Sequence, residues 1–303
     1  MDIQKMRKLQ KILKQVETAD IIFDTPFDDA VRMLRDGHID AGLAAMENVE
    51  GEDVFKLLAL AEIAYWRRDW KNAMYFDEHS LTSDHLWTSP SVLPNHMRAY
   101  VFAALESSSV SRAKCFLEYC NDSRRSQKIS KPILRIFKNA NYRLDGKPAN
   151  DEPPAARIIE GDESKCQIQM FSSSGPMEPG IESELPISLL LDFTWNKVPT
   201  KVVLDLYEKY AKFITNENHH LMAARTYIAL GDCQNVDACI ERCFSVWKPS
   251  ERFQVMPMKF FVYSDIMEYI FSHGLHERFL HQPRCVKPAP KECASADTQI
   301  LSE

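Results

Sequence analysis

The chain has 303 residues, of which 45% are hydrophobic and 26% charged, and its formal net charge is -6. Such a chain is long enough for a sizeable core and has a globular composition, while its negative balance leaves no global basic field to draw it onto nucleic acid or an anionic membrane. Nine glycines are too few for a fold that spends glycine on sheet turns and phosphate loops, so the expectation is helical.

In chain order, residues 1–25 place Ile3, Met6, Leu9, Leu13 and Val16 on one helical face, with Lys5, Lys8, Lys11 and Lys14 around it. This predicts an amphipathic helix docked on the next hairpin. It lacks the uninterrupted apolar stretch of a signal peptide. No apolar run reaches the length of about 18 residues that a membrane-spanning helix needs. Residues 26–144 read as short helices with short joins: PFDDAVRMLRDG, HIDAGLAAMENVE, DVFKLLALAEIAYWRRD, WKNAMYFDEHSL, NHMRAYVFAALES, VSRAKCFLEYC and KPILRIFKNANYRL. Adjacent short helices with tight joins predict antiparallel helical hairpins. Residues 145–186 are proline-rich and carry one strand-like run, CQIQMF; they predict a linker or inserted loop, partly disordered, with room for one hairpin. Helical periodicity returns over 187–282. PTKVVLDLYEKYAKFIT has Val203, Tyr207, Tyr210 and Ile214 on one stripe, ENHHLMAARTYIALGD and NVDACIERCFSVW pair, and RFQVMPMKFFVYSDIMEYIFSHG reads as a long apolar helix or helix pair. Residues 283–303 predict a disordered tail.

The paired helices resemble tetratricopeptide (TPR) repeats, which put small residues where the two helices of a hairpin cross. Leu57, Leu60, Ala61, Asp69, Ala73 and Ser80 fit one unit, although Asp77 stands where a large aromatic is usual. Ala30, Gly37, Gly42 and Met46 fit another, as do Tyr100, Ala113, Leu117 and Cys120. AARTYIALGD supplies Ala223, Ala224, Tyr227, Gly231 and Asp232, followed by Ile240 and Cys243, with Val236 where a small residue is expected. Gly42, Ala73 and Ala113 lie 31 and 40 residues apart, against about 34 in the family. The resemblance implies an α-solenoid whose first helices line a concave groove. The groove residues it implies are Asp28, Val31 and Arg35, then Glu62 and Trp66, then Asn95, Arg98 and Phe102. Mixed charges with aromatics suit an extended peptide or a helix, while Trp66 and Phe102 fit ordinary packing equally well.

The sequence carries no Walker loop, no G-x-G-x-x-G, no G-x-S-x-G and no H-E-x-x-H. His273, His276, Glu277, His281 and Cys285 are the one group with the ligand types for zinc, at no standard spacing. His219 and His220 are adjacent and point about 100° apart on a helix. Arg124, Arg125, Lys128 and Lys131 form a small basic patch without interleaved aromatics, which reads as a solvated face or an acidic-partner contact. The eight cysteines include no C-x-x-C pair and predict free thiols in a reducing cytosol.

The expectation is therefore an all-α, TPR-like protein with a loop-rich insertion in the middle. It is a cytoplasmic adaptor, chaperone or regulator that binds another protein, with no cofactor, no nucleic acid and no small-molecule ligand indicated. The alternatives are an immunity protein that neutralises a toxin by direct binding, an enzyme with a C-terminal His/Cys metal site, and a membrane-surface protein that uses residues 1–16.

Overall fold

The computed structural model describes residues 25–81, 92–124, 131–149, 153, 155–163, 171–172, 175–176, 191, 195 and 197–283. The expected N-terminal helix, the tail after 283 and most of the insertion lie outside the described residues. Among these residues there are twelve α-helices: α1 Pro26–Arg35, α2 Ile39–Glu47, α3 Asp53–Trp66, α4 Trp70–Ser80, α5 Val92–Glu106, α6 Val110–Arg124, α7 Lys131–Leu144, α8 Thr200–Tyr210, α9 Glu217–Leu230, α10 Cys233–Val246, α11 Ser264–Ser272 and α12 Leu275–Leu280. A two-residue antiparallel pairing, Phe171–Ser172 with Gly175–Pro176, falls in the expected insertion. The all-α class is thus correct.

Four helix pairs, α1–α2, α3–α4, α5–α6 and α9–α10, turn in the same way. In each, the residue before the second helix's cap is left-handed: Gly37 (φ 83°), Arg68 (59°), Ser108 (55°) and Gly231 (73°). The next amide then reaches back five residues to close the first helix. The bonds are His38 to Met33 at 2.9 Å, Asp69 to Ala64 at 2.9 Å, Ser109 to Ala104 at 2.8 Å and Asp232 to Tyr227 at 3.0 Å. This is the hydrogen bond of a Schellman C-cap, which satisfies a carbonyl the helix end leaves orphaned. Two of the second helices share a start as well. Asp69 and Asp232 accept from the amides of Asn72 (3.3 Å) and Asn235 (3.2 Å), so D-x-x-N marks both N-caps.

Four residues after each turn's cap comes the crossing position, occupied by Gly42, Ala73, Ala113 and Val236, and the last three are wholly buried. A Cβ on Gly42 would lie 2.7 Å from the Leu34 side chain, so the α1–α2 crossing excludes even alanine in its present geometry. The α9–α10 crossing accommodates Val236.

The C-terminal half folds back onto the first. The 3₁₀ turn Met258–Val262 packs on α5, α12 touches α3, and α11 packs on α9. One hydrophobic cluster runs through both halves. Residues 252–274, expected to be a long helix or helix pair, differ from that expectation. Helix α11 begins only at Ser264, and residues 252–257 carry no helix. Pro257 supplies no amide and biases Met256 away from helical angles, and the amides of Val255 and Met256 bond elsewhere.

Candidate partner-binding groove

The first helices α1, α3 and α5 face a groove, and much of it is filled by the chain's own residues 251–262. At one end the Arg252 guanidinium donates to both carboxylate oxygens of Asp28, to Thr25 Oγ1 (2.9 Å) and to Glu52 Oε1 (3.0 Å). These bonds hold the Asp28 carboxyl below its ordinary pKa of 3.8. Arg35 reads the backbone. It donates to the carbonyls of Glu251 (3.0 Å), Arg252 (2.7 Å) and Gln254 (2.6 Å). Phe253 stacks on Phe55 with ring centroids 5.3 Å apart.

Further along, one oxygen of Glu62 accepts the amides of Val255 (2.7 Å) and Met256 (2.8 Å). Glu62 is fully buried and its other oxygen lies 3.4 Å from His96 Nε2, an ion pair slightly long for a hydrogen bond. His96 Nδ1 lies 2.8 Å from Asp77 Oδ1, and the Tyr65 hydroxyl donates to the other Asp77 oxygen. A buried polar chain therefore runs from the Val255 and Met256 amides through Glu62, His96 and Asp77 to Tyr65. Burial alone would lower the pKa of His96, but the Asp77 and Glu62 carboxylates push it up to about 10, so the imidazolium is the resident form. Asp77, where the resemblance leads one to expect an aromatic, carries a buried polar bridge.

Trp66 is fully buried and contacts Phe244 (5.3 Å), Phe260 (5.7 Å) and Phe261 (6.4 Å) edge to face. Trp66 and Glu62 thus face the chain's own segment, and neither is exposed to a partner in this conformation. Asp28 and Arg35 are also engaged internally, and Val31 is buried core. The three remaining predicted residues, Asn95, Arg98 and Phe102, lie toward the far end on α5 and are all half-buried. Arg98 Nη1 donates to Asn95 at 3.3 Å, and Phe102 packs on Trp70 (5.9 Å) and Phe261 (5.7 Å). Beside them opens a cleft of about 470 Å³ whose walls include Arg98, Phe102, Leu105, Arg143, Lys147 and Phe261.

Among the described residues, no group of three or more His, Cys, Asp or Glu side chains is placed to hold a metal ion. His273 lies against Tyr269 and His276 against Phe271, with ring centroids 4.0 and 5.2 Å apart, while Cys285 is outside the described residues. The five described cysteines are free thiols. Burial raises Cys239 to about 12 and Cys243 well above the ordinary range, which suits packing and not nucleophilic chemistry. Among the described residues no helix is long and apolar enough to cross a membrane.

Sequence reasoning missed Tyr65, Asp77, His96, Arg143 and Lys147. The only signal was Asp77, polar at a position expected to be buried. No protein-family model, curated protein or solved structure matches this chain.

Proposed function

We propose that the chain is a TPR-like protein-interaction scaffold whose groove is partly closed by its own residues 251–262 and receives a partner at the remaining open end, beside Phe102. The observation that carries this reading is how the groove handles its own segment. Arg35 takes three carbonyls of the turn at Glu251–Gln254 and Glu62 takes the two amides that follow it, so the groove binds the backbone of a non-helical segment and does not only pack side chains. Four hairpins with the same turn, and a small or tightly packed residue at the same crossing position, support the repeat-like reading. The described cysteines, all free, agree with a reducing compartment such as the cytosol. Adaptor, chaperone, regulator and immunity protein all fall within this proposal.

The test is quantitative affinity capture from the native cell with tagged wild type and an Arg98→Glu variant, matched for melting temperature. A protein that saturates on wild type and drops at least tenfold on the variant is the expected result. Equal recovery of every specific partner by both forms would place binding elsewhere.

A further inference from the structure

We infer that the cleft beside Phe102 receives an acidic, apolar segment of the partner protein, its carboxylates facing Arg98, Arg143 and Lys147 and its apolar side chains resting on Phe102, Leu105 and Phe261. The inference rests on the scaffold reading and gives it a ligand chemistry.

Three observations meet at this place. The first is the wall. Three cationic side chains and an apolar floor line the same opening, and among the described residues no acidic one lines it. Leu105 stands 48% exposed at the rim, more than an isolated core residue would be. Arginine forks match carboxylates with two hydrogen bonds, and an apolar floor beneath them excludes the water that would weaken those bonds.

The second observation is charge. Residues 92–149 hold eleven Lys and Arg against four Asp and Glu, although the whole chain carries -6. In sequence this stretch is a basic island in an acidic protein, and such a local charge balance favours an acidic partner over a basic one. Asp145 draws Lys114 (2.6 Å) and Lys147 (3.2 Å), but this is an exposed arrangement that an incoming carboxylate can share at little cost.

The third is continuity. The floor residue Phe261 and its neighbour Val262 are the end of the chain's own groove-filling segment, so the cleft prolongs a track that already binds backbone. A volume of about 470 Å³ accommodates a few side chains of an extended peptide. A nucleic acid fits less well, since the ring of Phe102 is occupied by Trp70, Phe261 and Phe271 and is not presented for base stacking.

The experiment is selection of displayed random dodecapeptides on the full chain, run in parallel on wild type and on an Arg143→Glu/Lys147→Glu variant, with Leu105→Asp as a second variant at an exposed rim position. Circular dichroism melting confirms that each variant is folded. The expected result is enrichment of Asp and Glu beside Leu or Phe on wild type. Synthetic versions of those peptides should bind at least tenfold more weakly to each variant and to wild type at raised salt. Recovery of no peptide, of peptides without acidic residues, or of the same peptides on all three proteins would overturn the inference. So would a fluorescein-labelled oligothymidylate that binds wild type as tightly as the selected peptides. A cellular partner captured equally by wild type and the Arg143→Glu/Lys147→Glu variant, but lost with Arg98→Glu, would leave the scaffold reading standing and remove only this ligand assignment.

Discussion

Replacing Glu62 with alanine is expected to cost about 3–5 kcal/mol of unfolding free energy, the range for removing one member of a buried charge pair. Two effects combine. The amides of Val255 and Met256 lose their shared acceptor in a fully buried site, and an unsatisfied buried donor carries its own desolvation cost. The His96 imidazolium also keeps only one of its two carboxylates. Glu62→Gln is expected to cost less than Glu62→Ala, because the amide oxygen still accepts from the two backbone donors, although the charge beside His96 is lost in both. Urea denaturation of the three proteins checks this. A Glu62→Ala midpoint within the error of wild type would mean that the 251–262 segment is not held in the groove by Glu62.

The second large effect is on the pH dependence of stability, where two buried histidines pull in opposite directions. His96 is raised from its ordinary 6.5 to about 10 by Asp77 and Glu62 acting against burial. Its contribution is complete below about 6.5 and is lost as pH rises towards 10, because there the native state holds a proton that the unfolded chain has released. His220 is lowered to about 4, chiefly by burial. It is neutral, with Tyr207 hydroxyl against Nδ1 at 2.7 Å and Nε2 against the Ile214 carbonyl at 3.1 Å. Its contribution is complete above about 6.5 and is lost as pH falls towards 4. Stability is therefore expected to peak near pH 6.5 and to fall on both sides. Melting temperatures across this range should show His96→Gln with a flattened alkaline limb and His220→Asn with a flattened acid limb. A wild-type curve that rises steadily from pH 6.5 to 9 would contradict the protonated His96.

The hairpins were legible because their signals are local. The turn and cap at Gly37–His38, Arg68–Asp69 and Gly231–Asp232 follow from neighbouring residues, as do the small crossing residues Gly42, Ala73 and Ala113. Helix α7 matches its predicted span, Lys131–Leu144. What the groove residues face was not legible, because it depends on contacts across about 200 residues of sequence, as between Glu62 and Val255. The apolar run around Met256 reads as helix by composition, and only Pro257 hinted otherwise. Glu62 was identified as facing the groove but not as buried, and for Trp66 packing and partner contact were equally open, since periodicity reports a direction and not what covers it. The polar bridge through His96 was hidden for the same reason, with its members spread over α3, α4 and α5.

The most direct test of a groove closed by its own chain is native-state hydrogen exchange at Val255 and Met256. Both amides point into Glu62 from a segment without helix or strand, so their protection has no local source. Exchange as slow as that of the buried helix amides of α3, and accelerated in Glu62→Ala, is the expected result. Exchange at the rate of an exposed loop in wild type would contradict it, and would return Arg35, Glu62 and Trp66 to the surface offered to a partner.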